Sequence, residues 1–232
     1  MSKTVVIHQP DFLPYLGFFH RFLNADLWVI LDNVQFLQGS KKSWHNRDKI
    51  KTPYGEKWIT VAVQKAPIES MIKNIALSNN VAWRTDNLNL LRENYRRAPF
   101  FNEVFPHLEA LYGFECEKLI DFNLKSIEML LELFDIEIER KRASSLNPVG
   151  KGNELVVDIL KKVDATAYLS GVGAKSYYDP KPYEEAGIQV LWQEFKHPVY
   201  PQLHGEFIPY LSGIDLLFNC GIEKARKVLR SC

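Results

Sequence analysis

TVVIHQPDFLPYLGFFHRFLNADLWVILDN, residues 4–33, decides the fold. Thr4 to Ile7 is a short β-branched run closed by His8-Gln9-Pro10, the pattern of a buried strand entering a loop. Leu16 to Asn24 spaces its apolar residues as a helix does, and Leu27 to Leu31 is a second apolar run ending at Asp32. Strand, short helix and strand within about thirty residues is the size of a βαβ unit, which implies a parallel sheet. In such sheets ligands bind beyond the carboxyl ends of the strands. His8, Gln9 and Asp11 fall at one such end, and Asp32 and Gln35 at the other.

Working outward, Trp58 to Val63 reads as another strand after a Pro53-Tyr54-Gly55 turn. Residues 81–97, 100–112 and 115–135 then carry apolar positions at helical spacing, with Pro99 and Gly113 as breaks. Pro106 is expected in the first turn of its helix or at a kink. This block predicts a central helical layer or subdomain at about 81–136. Alternation resumes with a helix over Glu154–Val163, for which Asn153 is a candidate N-cap. Strands follow at Ala165–Leu169 and Ile188–Trp192, and helix at Ile214–Leu229 around a Cys220-Gly221 break. The expectation is an α/β chain, residues 1–232 forming a single domain with a mainly parallel sheet and flanking helices.

Composition narrows the function classes. At 232 residues and 46% hydrophobic, the chain can bury a core without staples. Charge is balanced, 29 Lys+Arg against 28 Asp+Glu, unlike proteins made to hold nucleic acid, so no nucleic-acid partner is expected. Cys116, Cys220 and Cys232 are far apart and fit free thiols in a reducing compartment. No run approaches the roughly 18 apolar residues of a membrane span, and MSKTVVIHQP lacks a signal peptide's core, so a cytoplasmic location is expected.

Four segments carry candidate chemistry. The first, residues 8–21, sets His8, Gln9, Asp11, Tyr15, His20 and Arg21 between two apolar strands. His8 follows its strand directly, and an imidazole with its ordinary pKa of about 6.5 suits a general base. Asp11 and Asp32 are both candidates to orient it. His20 lies on an apolar helix, where hydrogen-bonded packing competes with a substrate contact. The second, residues 32–55, interleaves Gln35, Trp44, Asn46, Arg47 and Tyr54 with lysines. Cations and aromatic faces suit a nucleotide sugar, while Lys41, Lys42, Lys49 and Lys51 read equally as a solvated loop. The third, YLSGVGAKSYYDP (168–180), runs a strand into Ser170-Gly171 and on to Tyr178, offering backbone N–H groups to an anion; it lacks the P-loop ending. The fourth, residues 192–221, alternates Tyr200, Gln202, His197 and His204 with prolines and suits the mouth of a site. Its histidines form no tight ligand motif, so no metal is expected.

At these segments the chain resembles the WbqC-like family. The matching pieces are IHQPDFLPYLGFFHR, ADLWVILDNVQF, HNRDKIK with KWITVAV, YLSGVGAKSYYD, IQVLWQEF and YPQLHGEFIPYLSGIDLLFNCG. Their order and spacing run over essentially the whole chain. The resemblance implies a bacterial protein of surface-polysaccharide or O-antigen synthesis. It implies transfer of an aminoacyl group, glycyl first, from a carrier-protein thioester to the amine of a dTDP-linked 4-amino-4,6-dideoxy sugar, with no cofactor. A nucleotidyltransferase-like enzyme and a non-catalytic scaffold binding sugar or carrier are the alternatives. Phe100-Phe101 offers apolar surface for a homodimer.

Overall fold

The computed structural model describes residues 2–39 and 43–232. Five strands form one all-parallel sheet: β1 (Thr4–His8), β2 (Leu27–Ile30), β5 (Glu139–Arg142), β6 (Ala167–Ser170) and β7 (Gln189–Trp192). Their spatial order is β5-β2-β1-β6-β7. The chain winds outward from β1 through β2 to β5, then returns to the other side of β1 for β6 and β7. The direction of winding therefore reverses between β1 and β6, the place where open α/β sheets leave a crevice for ligands. The expected βαβ opening is present, with α1 (Leu16–Phe22) crossing from β1 to β2.

Strand alternation divides the core into two layers. Val5, Ile7, Leu27 and Val29 face α5 (Asn153–Lys162) and α6 (Lys181–Glu185), meeting Val157, Ile159, Leu160 and Tyr183. Val6, Trp28 and Ile30 face the larger layer. That layer contains α1, α2 (Ala82–Tyr95), α3 (Phe101–Gly113), α4 (Leu119–Phe134), α7 (Gly213–Cys220) and α8 (Ile222–Arg230). The helical block predicted at about 81–136 is thus three helices of the larger layer. Gly221, at φ 76°, makes the break between α7 and α8. Among the described residues no helix is long and apolar enough to cross a membrane.

Four local expectations are corrected. Residues 47–52 are not loop but β3 (Arg47–Thr52), paired antiparallel with β4 (Gly55–Thr60) in a hairpin separate from the main sheet. Lys51 is not solvated: it is 1% exposed, and its ammonium donates to the carbonyls of Gly205 and Glu206. Gly152, not Asn153, precedes the first turn of α5, while the Asn153 amide donates to Tyr177 O. Pro106 lies in the interior of α3 rather than its first turn. Lys41 and Lys42 lie outside the described residues. Phe100 is half-exposed, and Phe101 stacks inward on Phe105 and Phe218.

Candidate functional site

β1 delivers His8 to the carboxyl edge of the sheet, on the face of α1, where its ring meets Phe18 edge-on at 5.0 Å. The loop after it is pinned by three side chains, two from α4 and one from the start of α7. Asn123 of α4, fully buried, donates to Pro10 O at 2.7 Å and to His45 O at 2.5 Å. Ser126 Oγ accepts from Leu13 N, and Ser212 Oγ donates to Leu13 O. Leu13 is held at φ 42° by these contacts. The histidine loop is therefore a rigid platform built by helices distant in sequence.

Three cavities meet at His8. One, of about 330 Å³, extends over Gln9 and Ser170 to an aromatic wall of Tyr168, Tyr177, Tyr178, Tyr183 and Trp192. A second, of about 360 Å³, runs the other way, between Asp11 and Asp48 and the rings of Tyr15, Trp44 and Tyr210. A third, of about 270 Å³, lies between the ends of β1 and β6 and is bordered by Arg21, Ser170 and Gly171. One end of the site is thus aromatic, the other acidic and aromatic, with the imidazole between them.

The hydrogen bonds fix the state of this imidazole. His8 Nδ1 lies 2.9 Å from Gln9 O. A carbonyl only accepts, so Nδ1 carries the proton and Nε2 keeps its lone pair. Burial, reinforced by the charge of Arg21, lowers the pKa of His8 to about 3. The expectation of an ordinary histidine pKa is corrected: this ring is neutral throughout the physiological range. The adjacent Asp11 moves oppositely, its pKa raised by burial to about 7, with Arg21 opposing. Asp48 is also pushed well above the usual carboxylate range, first by burial.

Gln9 is positioned by a residue the sequence left without a role. Leu37 N donates to His45 Nδ1 at 3.4 Å, so Nε2 is the donor to Gln9 Oε1 at 2.7 Å. Among the described residues the Gln9 NH₂ makes no hydrogen bond, and Gln9 borders the first cavity. Burial lowers His45 to a pKa of about 4, so it too is neutral.

Of the residues singled out from sequence, His8, Gln9, Asp11, Tyr15, Trp44, Ser170, Gly171 and Tyr178 come together around these cavities. Asp32 does not reach His8: fully buried, it accepts from Ser144 N at 2.9 Å and Ser144 Oγ at 2.7 Å, fixing the turn after β5. Asp11 is the carboxylate at the imidazole, 3.7 Å from Nδ1. His20 is tied to Cys232 O and Gln193. Gln35 donates to Ile68 O, and Asn46 to Val61 O. Arg47 lies over the Trp58 ring at 4.2 Å and donates to Ser43 O. Tyr54 is 98% exposed at the hairpin tip. Tyr200 and Gln202 bond the buried carboxylate of Asp215. None of these seven borders the three cavities. Asp48, Tyr210 and the wall residues Tyr168, Tyr177 and Tyr183 were missed, and Arg21 was noted without a role. Arg21 had a signal, a lone cation in the apolar run FFHRF.

A parallel sheet with a reversal of winding at β1 and a histidine-centred polar cluster at its carboxyl edge defines an α/β protein of the open-sheet class. The chain belongs to the WbqC-like protein family, whose profile matches residues 9–227. It is 31% identical over 233 residues to the uncharacterized protein Rv1507c of Mycobacterium tuberculosis, the match covering 99% of each chain. It is also 29% identical over 182 residues to the DNA mismatch repair protein MutS of Clostridium botulinum strains. That match spans 71% of this chain but only 18% of MutS. No solved structure matches the chain significantly.

Proposed function

We propose that the protein is an N-acyltransferase that joins an aminoacyl group, carried as a thioester on a carrier protein, to the amine of a dTDP-linked 4-amino-4,6-dideoxy sugar. The reading rests on one observation: a neutral imidazole with an open Nε2 stands where an aromatic cavity and an acidic, aromatic cavity meet. Aromatic faces suit a nucleobase, and carboxylates beside aromatic rings suit an ammonium group.

The chemistry follows from the two titrating groups. An amino sugar arrives at neutral pH as an ammonium ion. Asp11, with a pKa of about 7, is a carboxylate part of the time and takes one proton, leaving a free amine. The amine nitrogen attacks the thioester carbonyl, forming the C–N bond and a tetrahedral oxyanion. His8 Nε2 accepts the second nitrogen proton as the oxyanion develops beside it, because the nearby negative charge favours imidazolium for that moment. Collapse breaks the C–S bond, and the proton passes to the departing sulfur, giving amide and free thiol. The Gln9 NH₂, on an amide whose oxygen is held by His45, serves as a donor to the oxyanion in this reading. The reaction needs no cofactor.

The nucleotidyl-transfer alternative has less support, because His20 is committed to Cys232 and Gln193 outside the cavities. The MutS match covers under a fifth of that protein, so its role in DNA repair is not carried to this chain.

The test is a direct assay with a dTDP-4-amino-4,6-dideoxy sugar and a glycyl-pantetheine thioester, following amide mass and released thiol. Both products should form together. His8→Ala should reduce turnover by about 100-fold or more while the fold is retained. Absence of both products across a panel of acyl thioesters would overturn the reading.

A further inference from the structure

Arg21, in the last turn of α1, is only 5% exposed, and its Nε is buried without a hydrogen-bond partner. Among the described residues nothing hydrogen-bonds its guanidinium and no carboxylate lies within ion-pair distance. Tyr15 and Tyr168 border the same cavity and are near enough for their phenols to act on its charge, without hydrogen-bonding it. The Phe18 ring lies 5.9 Å from its Cζ, and a Cβ built on Gly171 would stand 3.6 Å from its Nη1. The guanidinium borders the cavity between β1 and β6.

A guanidinium stays ionised at every physiological pH. Burying that charge without a counter-ion is unfavourable, and arginines so placed are nearly always paired. Asp11, the carboxylate whose charge it feels, forms no ion pair with it and borders the cavity on the other side of His8. Gly171 adopts ordinary extended backbone, so its lack of a side chain is not required by its φ of −72°. A side chain at this position would come into van der Waals contact with Nη1.

We propose that Arg21 is the anchor for an oxyanion of the substrate, gripped by its planar fork between the carboxyl ends of β1 and β6. The geometry suits two parallel N–H···O bonds to a phosphate or a carboxylate. The identity of that anion as the diphosphate of a nucleotide sugar rests on the proposed function; the anchor itself does not. In that reading the diphosphate crosses the cavity at Arg21, between the aromatic wall and the acidic cavity. This replaces Arg47, which is occupied by Trp58 and Ser43.

The experiment is thermal unfolding and calorimetric titration of the whole chain with pyrophosphate, dTDP and malonate, each against sodium chloride of equal ionic strength. Pyrophosphate and dTDP should raise the melting temperature. Arg21→Met should abolish the rise and weaken dTDP binding by about 30-fold or more, the loss expected when one partner of a buried charge pair is removed. The ligand-free Arg21→Met protein should be no less stable than wild type, because it loses a buried unpaired charge. Gly171→Leu leaves the arginine in place but covers it, and should also lose the response. Protection by malonate alone keeps the anchor and assigns its anion to a carboxylate of the acyl donor. If no anion protects wild type, the proposal is overturned. An unchanged anion response in Arg21→Met overturns it equally and marks a structural arginine. Binding of dTDP through Arg21 without amide formation removes the acyl-transfer reading and leaves the anchor. Amide formation with wild-type rates in Arg21→Met does the reverse.

Discussion

His8 Nδ1 and Asp11 Oδ2 stand 3.7 Å apart, and burial drives the two groups' pKa values past one another, to about 3 and about 7. In water the histidine would hold its proton more tightly than the aspartate. Here the order is inverted, so near neutrality the site carries a neutral imidazole beside a carboxyl group in mid-titration. Such paired displacement marks sites that move protons.

This inversion makes opposed contributions to stability. The folded pKa of His8 is depressed, so its contribution is present above pH 6.5 and is lost as pH falls towards 3. The folded pKa of Asp11 is raised, so its contribution is full below pH 3.8 and is lost as pH rises towards 7. Between about pH 4 and 6.5 the two slopes largely cancel. Asp11→Asn should therefore lose stability relative to wild type as pH falls through that window, by about 1 kcal/mol per pH unit. His8→Gln should gain it at a similar rate. Urea denaturation at several pH values measures both, and parallel profiles for all three proteins would refute the inversion.

Removing Asn123 should loosen the histidine loop. Its amide donates to Pro10 O and His45 O from a fully buried position. Asn123→Ala leaves two buried acceptors unpaired, at a cost of about 2–4 kcal/mol. Because these acceptors flank Gln9 and His45, the proposed acyl transfer should slow further than the loss of folded protein explains. Specific activity corrected for folded fraction is the readout.

Asp215 should be a strong determinant of stability. Its carboxylate accepts from Tyr95 at 2.8 Å, Tyr200 at 3.0 Å and Gln202 at 2.7 Å. Burial raises its pKa, and those three bonds oppose the rise. Asp215→Ala orphans the donors and should cost about 3 kcal/mol, or roughly 10 °C in melting temperature. Calorimetry reads the shift.

Gly221→Ala should destabilise without touching the site. The φ of 76° with ψ of 164° suits glycine alone, and an added Cβ would lie 2.6 Å from Phe100 Cδ1. Strain and overpacking together should cost about 2–4 kcal/mol. Activity per folded molecule should be unchanged.

The sequence made β1, α1 and β2 legible because each buries a face whose period can be read. It hid β5, whose residues Glu139-Arg140-Lys141-Arg142 are all exposed and are strand only by pairing with β2. It also hid β3, where Lys51 occupies a buried position that apolar residues usually fill. At the site, proximity to a strand end brought His8, Gln9 and Asp11 into view. The same rule overreached with Asp32, whose bonds to Ser144 depend on where a distant turn lands. Likewise Asp48 joins the cavity only because the hairpin folds back on the loop, a tertiary event with no local signature.

The strand bearing His8 is sheet-interior although it precedes the other strands in sequence. Its neighbour β6 begins at Ala167, and the last strand of the sheet, β7, begins at Gln189. A nascent chain that has emerged only to about residue 160 would thus hold β1 as an open edge, and the crevice would lack its far wall. The crevice therefore closes only once β6 and β7 have been synthesised, so shorter nascent chains should lack its far wall and be prone to pair with one another.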